Sequence, residues 1–216
     1  MDKASVKKVL DELKKGKERK FKQTVDLIVV FKNLNFKKPE EQVDFYQQLH
    51  FGIGKEIKIC GFIGRELAEQ AKDSFTTAVI EEDFPQYAKD DKLLKILANE
   101  HDFFVAQANI MPKVATTFGK VLGPKGKMPN PKAGCVVPPN ANLKALAEKL
   151  KKTLKVSAKV MPMVQLAIGK EDGDEKEVID NILTTYDGIL HHVPSGLNNI
   201  RKVLLKLTMG KPIKLE

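Results

Sequence analysis

Two glycine-containing stretches have residue types that bind nucleotide phosphates, but neither has the required spacing. The first, GIGK at 52–55, places a lysine after glycines, but Glu56 follows it and the G-x-x-x-x-G-K-[S/T] pattern is absent. Gly61 and Gly64 lie between a predicted strand and a predicted helix, where a dinucleotide-binding motif would lie, but the third glycine of G-x-G-x-x-G is missing. We therefore interpret the segment 52–55 as a turn or hinge, because glycine adopts dihedral angles that other residues avoid.

The residue types that ligate metals or act as nucleophiles are too scattered to indicate an enzyme. The four histidines are His50, His101, His191 and His192. The last two are adjacent, so on a helix they would point in different directions and would not chelate one ion easily. The two cysteines, Cys60 and Cys135, lie far apart in apolar stretches, which is typical of reduced structural thiols in a cytosolic protein. We expect no metal, no cofactor and no catalysis, although a triad assembled in space would not be visible in the sequence.

Two short motifs near the chain ends have the composition of an RNA contact. KFKQTV at 20–25 places an aromatic residue between two cations, and LTMGKP at 207–212 combines a hydroxyl, a flexible apolar side chain and a glycine. RNA-binding surfaces combine cations, apolar or aromatic contacts and small polar groups that reach ribose hydroxyls. Taken singly, Phe21 and Met209 are predicted to lie in the core rather than in a contact.

The stretch 123–139 is the most unusual part of the sequence. Its glycines and prolines can display lysines without a helix, and Lys120, Lys125 and Lys127 lie in or beside it. The alternative is a surface connector between two helices, but the stretch is long for that role. We predict a secondary RNA-contact loop here.

Hydrophobic periodicity indicates where the elements that position these motifs lie. The stretch from residue 57 to 122 alternates strand patterns with helix patterns, which predicts a parallel sheet with helices on its faces. Strand patterns at 24–31, 43–49, 154–168 and 203–208, and helix patterns near both ends, surround that region. The fold class is therefore α/β.

The net charge of +9 is concentrated at the two ends of the chain. Residues 1–58 and 151–216 together carry +8, whereas residues 59–150 carry +1. The excess is almost entirely lysine, which suits phosphate contact better than the reading of base edges. If both ends form one domain with the middle inserted, that domain is the part that binds a polyanion.

Five stretches resemble motifs of one protein family, and they occur in the same order along the chain as in that family. IMPKVATTFGKVLGPKGKMPNP at 110–131 looks like the signature segment of the ribosomal protein L-one family, the stalk protein of the large ribosomal subunit. KFKQTVDL and LTMGKPIKLE resemble that family's two terminal motifs, and DFFVAQANIMPK and LAEKLKKT resemble it as well. The length and the short N-terminus are closer to the archaeal and eukaryotic branch than to the bacterial one.

The resemblance implies a two-domain protein. Residues 1–53 and 154–216 would form a discontinuous α+β RNA-binding domain, and residues 54–153 an inserted Rossmann-like α/β domain. Carried over by motif, the hinge would comprise Gly52, Gly54 and Lys55. The RNA-binding residues would be Lys20, Phe21, Thr24, Thr208, Met209 and Gly210, with Lys159 and Lys170 as further phosphate contacts.

The resemblance also implies partners and a location. The protein would bind large-subunit rRNA at the mobile stalk and assist the release of deacylated tRNA from the exit site. It would contact other ribosomal components in the cytoplasmic ribosome, and repress translation by binding its own mRNA. No membrane association is expected, since no apolar run is long enough to cross a bilayer and the N-terminus does not resemble a signal peptide.

Departures from the family pattern leave this assignment in place. His50 precedes Phe51 where the family has a proline before its hinge, and Lys202 stands where a small polar residue is common.

Two other functional classes are less favoured by the sequence. Incomplete glycine motifs argue against a nucleotide-dependent enzyme, and a content of 6% aromatic residues without tryptophan argues against a general single-strand binder that relies on base stacking.

Overall fold

The computed structural model describes residues 1–16 and 19–215, which form two compact units. Unit 1 comprises Met1–Lys55 and Lys152–Glu216, and unit 2 comprises Glu56–Lys151. The strands, in chain order, are β1 (Thr24–Phe31), β2 (Val43–Gln48), β3 (Ile59–Ile63), β4 (Thr77–Ile80), β5 (Phe103–Gln107), β6 (Val136–Val137), β7 (Thr153–Ala158), β8 (Met163–Lys170), β9 (Ile200–Leu207) and β10 (Ile213–Lys214). The α-helices are α1 (Lys3–Lys14), α2 (Ala68–Ser74), α3 (Phe84–Lys89), α4 (Asp91–Glu100), α5 (Met111–Leu122), α6 (Leu143–Lys151) and α7 (Glu175–His192).

Unit 1 is built on a four-stranded antiparallel sheet in the order β10-β9-β1-β8. Residues of β1 and β9 alternate between two faces, so Val25, Leu27 and Val29 share the face of Leu205 and Leu207. That face is covered by α1 and α7, whose apolar stripes complete one core. The two-stranded antiparallel sheet of β2 and β7 contributes to the same core.

Unit 2 contains a parallel four-stranded sheet in the order β4-β3-β5-β6. Its helices form two groups: α2 packs against α6, and α3, α4 and α5 pack together. The second group closes a core in which the Phe118 ring lies 4.3 Å from the Phe62 ring and 5.2 Å from the Phe84 ring. The predicted α/β class is confirmed.

The stretch 123–139 is not the simple loop that its composition predicts. It contains a 3-10 turn at Pro131–Ala133, closed by Gly134 in the left-handed region (φ 73°), and then the short strand β6. Strand β6 pairs in parallel with β5, through Ala106 with Val136 and Gln107 with Val137. The sequence pattern missed this strand because two residues are too short to show a period.

The glycines of the incomplete dinucleotide motif have packing roles. A Cβ on Gly61 would lie 2.6 Å from the Phe75 ring, so glycine allows that ring to cover β3. The Gly64 N–H donates to Gln107 Oε1 at 2.9 Å, and a Cβ on Gly64 would lie only 3.1 Å from that same oxygen, next to the carboxyl ends of β3 and β5. These contacts account for both glycines without a nucleotide.

The two cysteines are free and buried. Burial raises the pKa of the Cys60 thiol to about 12 and that of the Cys135 thiol to about 11. Both therefore stay protonated near neutral pH, as structural thiols do.

Candidate nucleic-acid interface

Three chain segments that are remote in sequence meet at the first residue of β1. Thr24 pairs with Lys170 on β8, and Val25 pairs with Leu207 on β9. The turn after β9 is attached to the segment before β1, because Thr208 N–H donates to Thr24 O at 3.1 Å. We call the residues 20–24, 170–172 and 208–211 the three-segment surface.

Phe21 and Met209 are both exposed on this surface. The side chains are 51% and 59% exposed, so the prediction that they lie in the core is wrong. Exposed aromatic and thioether side chains offer apolar contact area to a partner. The structure thus brings together the apolar groups of both terminal motifs and leaves them accessible.

Lysines surround these apolar groups. Lys20 and Lys211 are exposed and Lys170 is half-buried, and none of the three forms an ion pair with a carboxylate in the described part of the chain. Lys22, in contrast, pairs with Asp172. That hydrogen bond and charge raise the pKa of Lys22 and lower the pKa of Asp172, so both stay charged near neutral pH and largely cancel. The charge of Lys170 also lowers the pKa of Asp172, but Lys170 lies beyond ion-pair distance of that carboxylate. Lys20, Lys211 and, to a smaller extent, Lys170 are therefore the cations that remain available to phosphates.

The Thr208 hydroxyl already has protein partners. Its Oγ1 accepts from Thr24 N–H at 3.0 Å and lies 3.4 Å from Thr24 O. Removing this hydroxyl would therefore loosen the attachment of the two termini, besides removing a group from the surface. A Cβ on Gly210 would first meet Leu207 atoms, at 3.3–3.5 Å, so a larger residue there requires a small shift of Leu207.

Lys159 lies away from the three-segment surface. It comes just before Met163, the first residue of β8, which pairs with Val30 of β1. Lys170 is at the other end of β8, about 20 Å away along the strand. Its Nζ pairs with Asp44 Oδ2 at 2.7 Å. The structure therefore does not bring Lys159 together with the other predicted RNA contacts.

The predicted hinge residues differ in their need for glycine. Gly54 is left-handed (φ 74°), and a Cβ there would lie 3.3 Å from Lys170 Cγ. Gly52 has no such constraint, since a Cβ there would meet nothing within 4 Å. Lys55 is the last residue of the first part of unit 1.

The predicted contact loop of unit 2 has lysines with structural partners. Lys127 Nζ donates to Ala98 O at 2.9 Å and to His101 O at 2.6 Å, which satisfies carbonyls at the end of α4. Lys125 Nζ donates to Asn99 Oδ1. Lys120 is exposed on α5. Lys127 therefore stabilises unit 2, and of the three lysines it is the least suited to RNA contact.

Sequence reasoning missed the residue that holds the three segments together, Gln23. It is 3% exposed, its Oε1 accepts from Met209 N–H at 3.1 Å, and its carbonyl accepts from Glu171 N–H at 2.9 Å. A polar residue just before a strand usually indicates a turn, so only the burial of Gln23 distinguishes it from an ordinary turn residue. Lys211 was part of the second terminal motif but was not among the predicted site residues.

A sequence model of the Ribosomal protein L1p/L10e family matches residues 13–211. The chain belongs to this family. It is 37% identical to the large ribosomal subunit protein uL1 of Methanothermococcus thermolithotrophicus, over 100% of both chains. The uL1 protein of Methanocaldococcus jannaschii is 34% identical, over 100% of this chain and 97% of its own. That of Nanoarchaeum equitans is 38% identical, over 95% of this chain and 98% of its own. The predicted family and its archaeal type are confirmed.

Two other features bear on the kind of site that this family member carries. In residues 1–16 and 19–215, no group of three or more His, Cys, Asp or Glu side chains is placed to hold a metal ion. Among the described helices, none is long and apolar enough to span a membrane.

Proposed function

We propose that this protein is a non-catalytic component of the large ribosomal subunit that binds large-subunit rRNA through the three-segment surface of unit 1. The observation that carries the proposal is the meeting of Phe21, Lys170 and Met209 at one end of the sheet. Family membership supports the ribosomal location, in the cytoplasmic ribosome, since the relatives are named as large-subunit proteins.

Each group of the surface has a distinct task in this proposal. Lys20, Lys170 and Lys211 contact phosphates, which supplies affinity but little sequence information. Phe21 and Met209 pack against unstacked bases or ribose. Thr24, Thr208 and Gly210 form the backbone platform that the RNA approaches closely.

Unit 2 has a separate role in the proposal. It is the domain inserted into the rRNA-binding unit 1, with Gly52, Gly54 and Lys55 as the hinge residues, and Lys120 and Lys125 as secondary contacts. Through it the protein assists the release of deacylated tRNA from the exit site. Binding to its own mRNA at a mimic of the ribosomal site would add translational repression.

Crosslinking in cells, followed by sequencing of the attached RNA, tests the proposed function. We expect most reads to fall in one folded element of large-subunit rRNA, with minor sets from tRNA and from the protein's own mRNA. Phe21→Ala should reduce the rRNA reads and Phe51→Ala, another exposed phenylalanine of unit 1, should not. Reads spread over unrelated RNAs would contradict the ribosomal assignment.

Salt dependence should identify the lysines that contact phosphate. The logarithm of the association constant should fall linearly with the logarithm of salt concentration, because each lysine contact releases counterions. Lys20→Ala, Lys170→Ala and Lys211→Ala should each reduce the slope by about 0.7–0.9. Lys159→Ala should leave the slope unchanged, and fluorescence-anisotropy titrations with the crosslinked RNA element would measure all four. An unchanged slope in the first three variants would remove the phosphate contacts from this surface.

A further inference from the structure

A surface cavity of about 480 Å³ opens at the three-segment surface, whose residues form part of its lining, and all of its lining residues belong to unit 1. The end of α1, the segment before β1 and the turn after β9 form its walls. Leu13, Leu207, Met209 and Ile213 give it apolar sides. Its volume falls in the range of about 300–1,000 Å³ that is typical of small-molecule sites.

The cavity contains an oriented amide. Gln23 lines it, and because Gln23 Oε1 accepts from Met209 N–H at 3.1 Å, the amide cannot rotate freely. No described residue accepts a hydrogen bond from Gln23 Nε2, and the described chain has no fully buried side-chain nitrogen or oxygen without a partner. The Nε2 group must therefore reach solvent, although the residue as a whole is 3% exposed. It is a fixed hydrogen-bond donor with no acceptor among residues 1–16 and 19–215.

The charged residues of the cavity distinguish among parts of an RNA chain. Glu12 and Glu171 line it together with Arg19 and Lys211. Two carboxylates disfavour a phosphate inside the cavity, because like charges repel, but they accept hydrogen bonds from N–H groups. Among RNA bases, guanine presents two N–H donors next to a carbonyl acceptor on one edge. The carboxylates and the Gln23 amide donor that line the same cavity are the groups complementary to that edge.

We propose that this cavity binds one unpaired guanine of the RNA. Guanine O6 accepts from Gln23 Nε2, guanine N1–H and N2–H donate to a cavity carboxylate, and the ring packs against the Met209 side chain. Arg19 and Lys211 interact with the flanking phosphates. The site rests on the proposed function, because the base comes from an RNA held by the three-segment surface, and it adds base specificity to a lysine-led contact.

The first experiment uses the full chain and mononucleotides, so it does not depend on the identity of the RNA. Nuclear magnetic resonance would follow the Gln23 side-chain amide and the Met209 N–H during separate titrations with GMP, AMP, CMP, UMP and inorganic phosphate. We expect GMP to shift both signals at a concentration about tenfold lower than AMP, and phosphate to leave the Gln23 amide unshifted. Equal shifts from all four nucleotides, or the same shifts from phosphate alone, would overturn the guanine assignment.

The second experiment substitutes the donor. Gln23→Glu keeps an oxygen for Met209 N–H but replaces the Nε2 donor with an acceptor, so GMP affinity should fall by about tenfold or more. Gln48→Glu adds the same charge at an exposed position of β2, and GMP affinity should be unchanged. Circular dichroism and melting temperature establish that each variant is folded. If both variants weaken GMP equally, added charge is the cause and the cavity has no base specificity.

The third experiment joins the inference to the RNA. In the crosslinked rRNA element, each unpaired guanine would be replaced by inosine, which lacks the N2 amine. One replacement should weaken binding to the parent protein by about tenfold, and to Gln23→Glu by far less, because the donor set is already broken. If no inosine position matters while the RNA still binds tightly, the guanine site is wrong and the proposed function stands. If the protein fails to bind any large-subunit rRNA, the proposed function itself is wrong, and the GMP titration then decides the cavity separately.

Discussion

Replacing both Phe21 and Met209 by alanine should weaken RNA binding by about tenfold to a few hundredfold and leave the melting temperature unchanged. Stacking of one base on an aromatic side chain contributes about 1–3 kcal/mol, and the thioether adds a second apolar contact. Both side chains are more than half exposed, so their removal leaves no cavity in the core. Fluorescence anisotropy with the crosslinked rRNA element measures the affinity, and calorimetry the melting temperature.

The matched control for this variant lies at the other end of the same sheet. Val160 and Met161 are 86% and 67% exposed, near the Met163 end of β8. Val160→Ala with Met161→Ala therefore removes comparable exposed apolar area without touching the three-segment surface. RNA affinity should match that of the parent. An equal loss in the two double variants would mean that exposed apolar area, rather than this surface, governs binding.

Phe118→Ala should destabilise unit 2 by about 3–5 kcal/mol while RNA affinity stays within about twofold of the parent. Phe118 is fully buried, and its ring contacts Phe62, Phe84 and Tyr87 in the core of unit 2. Unit 1 has a separate core, which contains none of these rings. Denaturant unfolding measures the stability, and a titration with the same RNA measures the affinity.

Leu27→Ala is the corresponding change in unit 1. Leu27 is fully buried in the middle of β1, so its truncation should cost about 2–5 kcal/mol. Because β1 carries the partners of both β8 and β9, RNA binding should fall as unit 1 unfolds. If Phe118→Ala abolishes binding while Leu27→Ala spares it, the main RNA site belongs to unit 2.

If a base-specific cavity lies within a lysine-rich surface, only part of the RNA affinity should depend on salt concentration. Phosphate contacts weaken steeply as salt rises, whereas hydrogen bonds and apolar contacts in a cavity do not release counterions. The lysines would therefore set the rate and strength of encounter, and Gln23 with Met209 would set which RNA is retained. The structure separates these roles, because Lys22 is neutralised by its ion pair with Asp172 while Lys20, Lys170 and Lys211 form no ion pair among the described residues.

Most of the helices and strands, and the family, could be predicted from the sequence alone, although the short strand β6 could not. Apolar residues recur at every second position in a strand and at helical spacing in a helix, because these are the side chains that must leave water. The alternation of the two spacings along the chain predicted the parallel sheet of unit 2. The terminal motifs resembled a family that the comparisons then confirmed. The uneven charge indicated which parts of the chain suit a polyanion. Each of these properties is local or additive along the chain, so no tertiary contact was needed to see it.

Which residues lie together, and which stay exposed, depends on contacts that form only on folding. Thr24 and Thr208 are 184 residues apart, and their contact depends on the register of β1 against β9, which no periodicity specifies. Phe21 and Met209 are types that usually lie in a core, yet the fold leaves them exposed. Lysines that look alike in sequence differ because Lys127 meets carbonyls, Lys159 meets Asp44 and Lys170 meets no carboxylate within ion-pair distance among the described residues. Burial of Gln23 likewise results from packing between three remote segments, because a side chain's environment is set by neighbours that the chain brings to it only on folding.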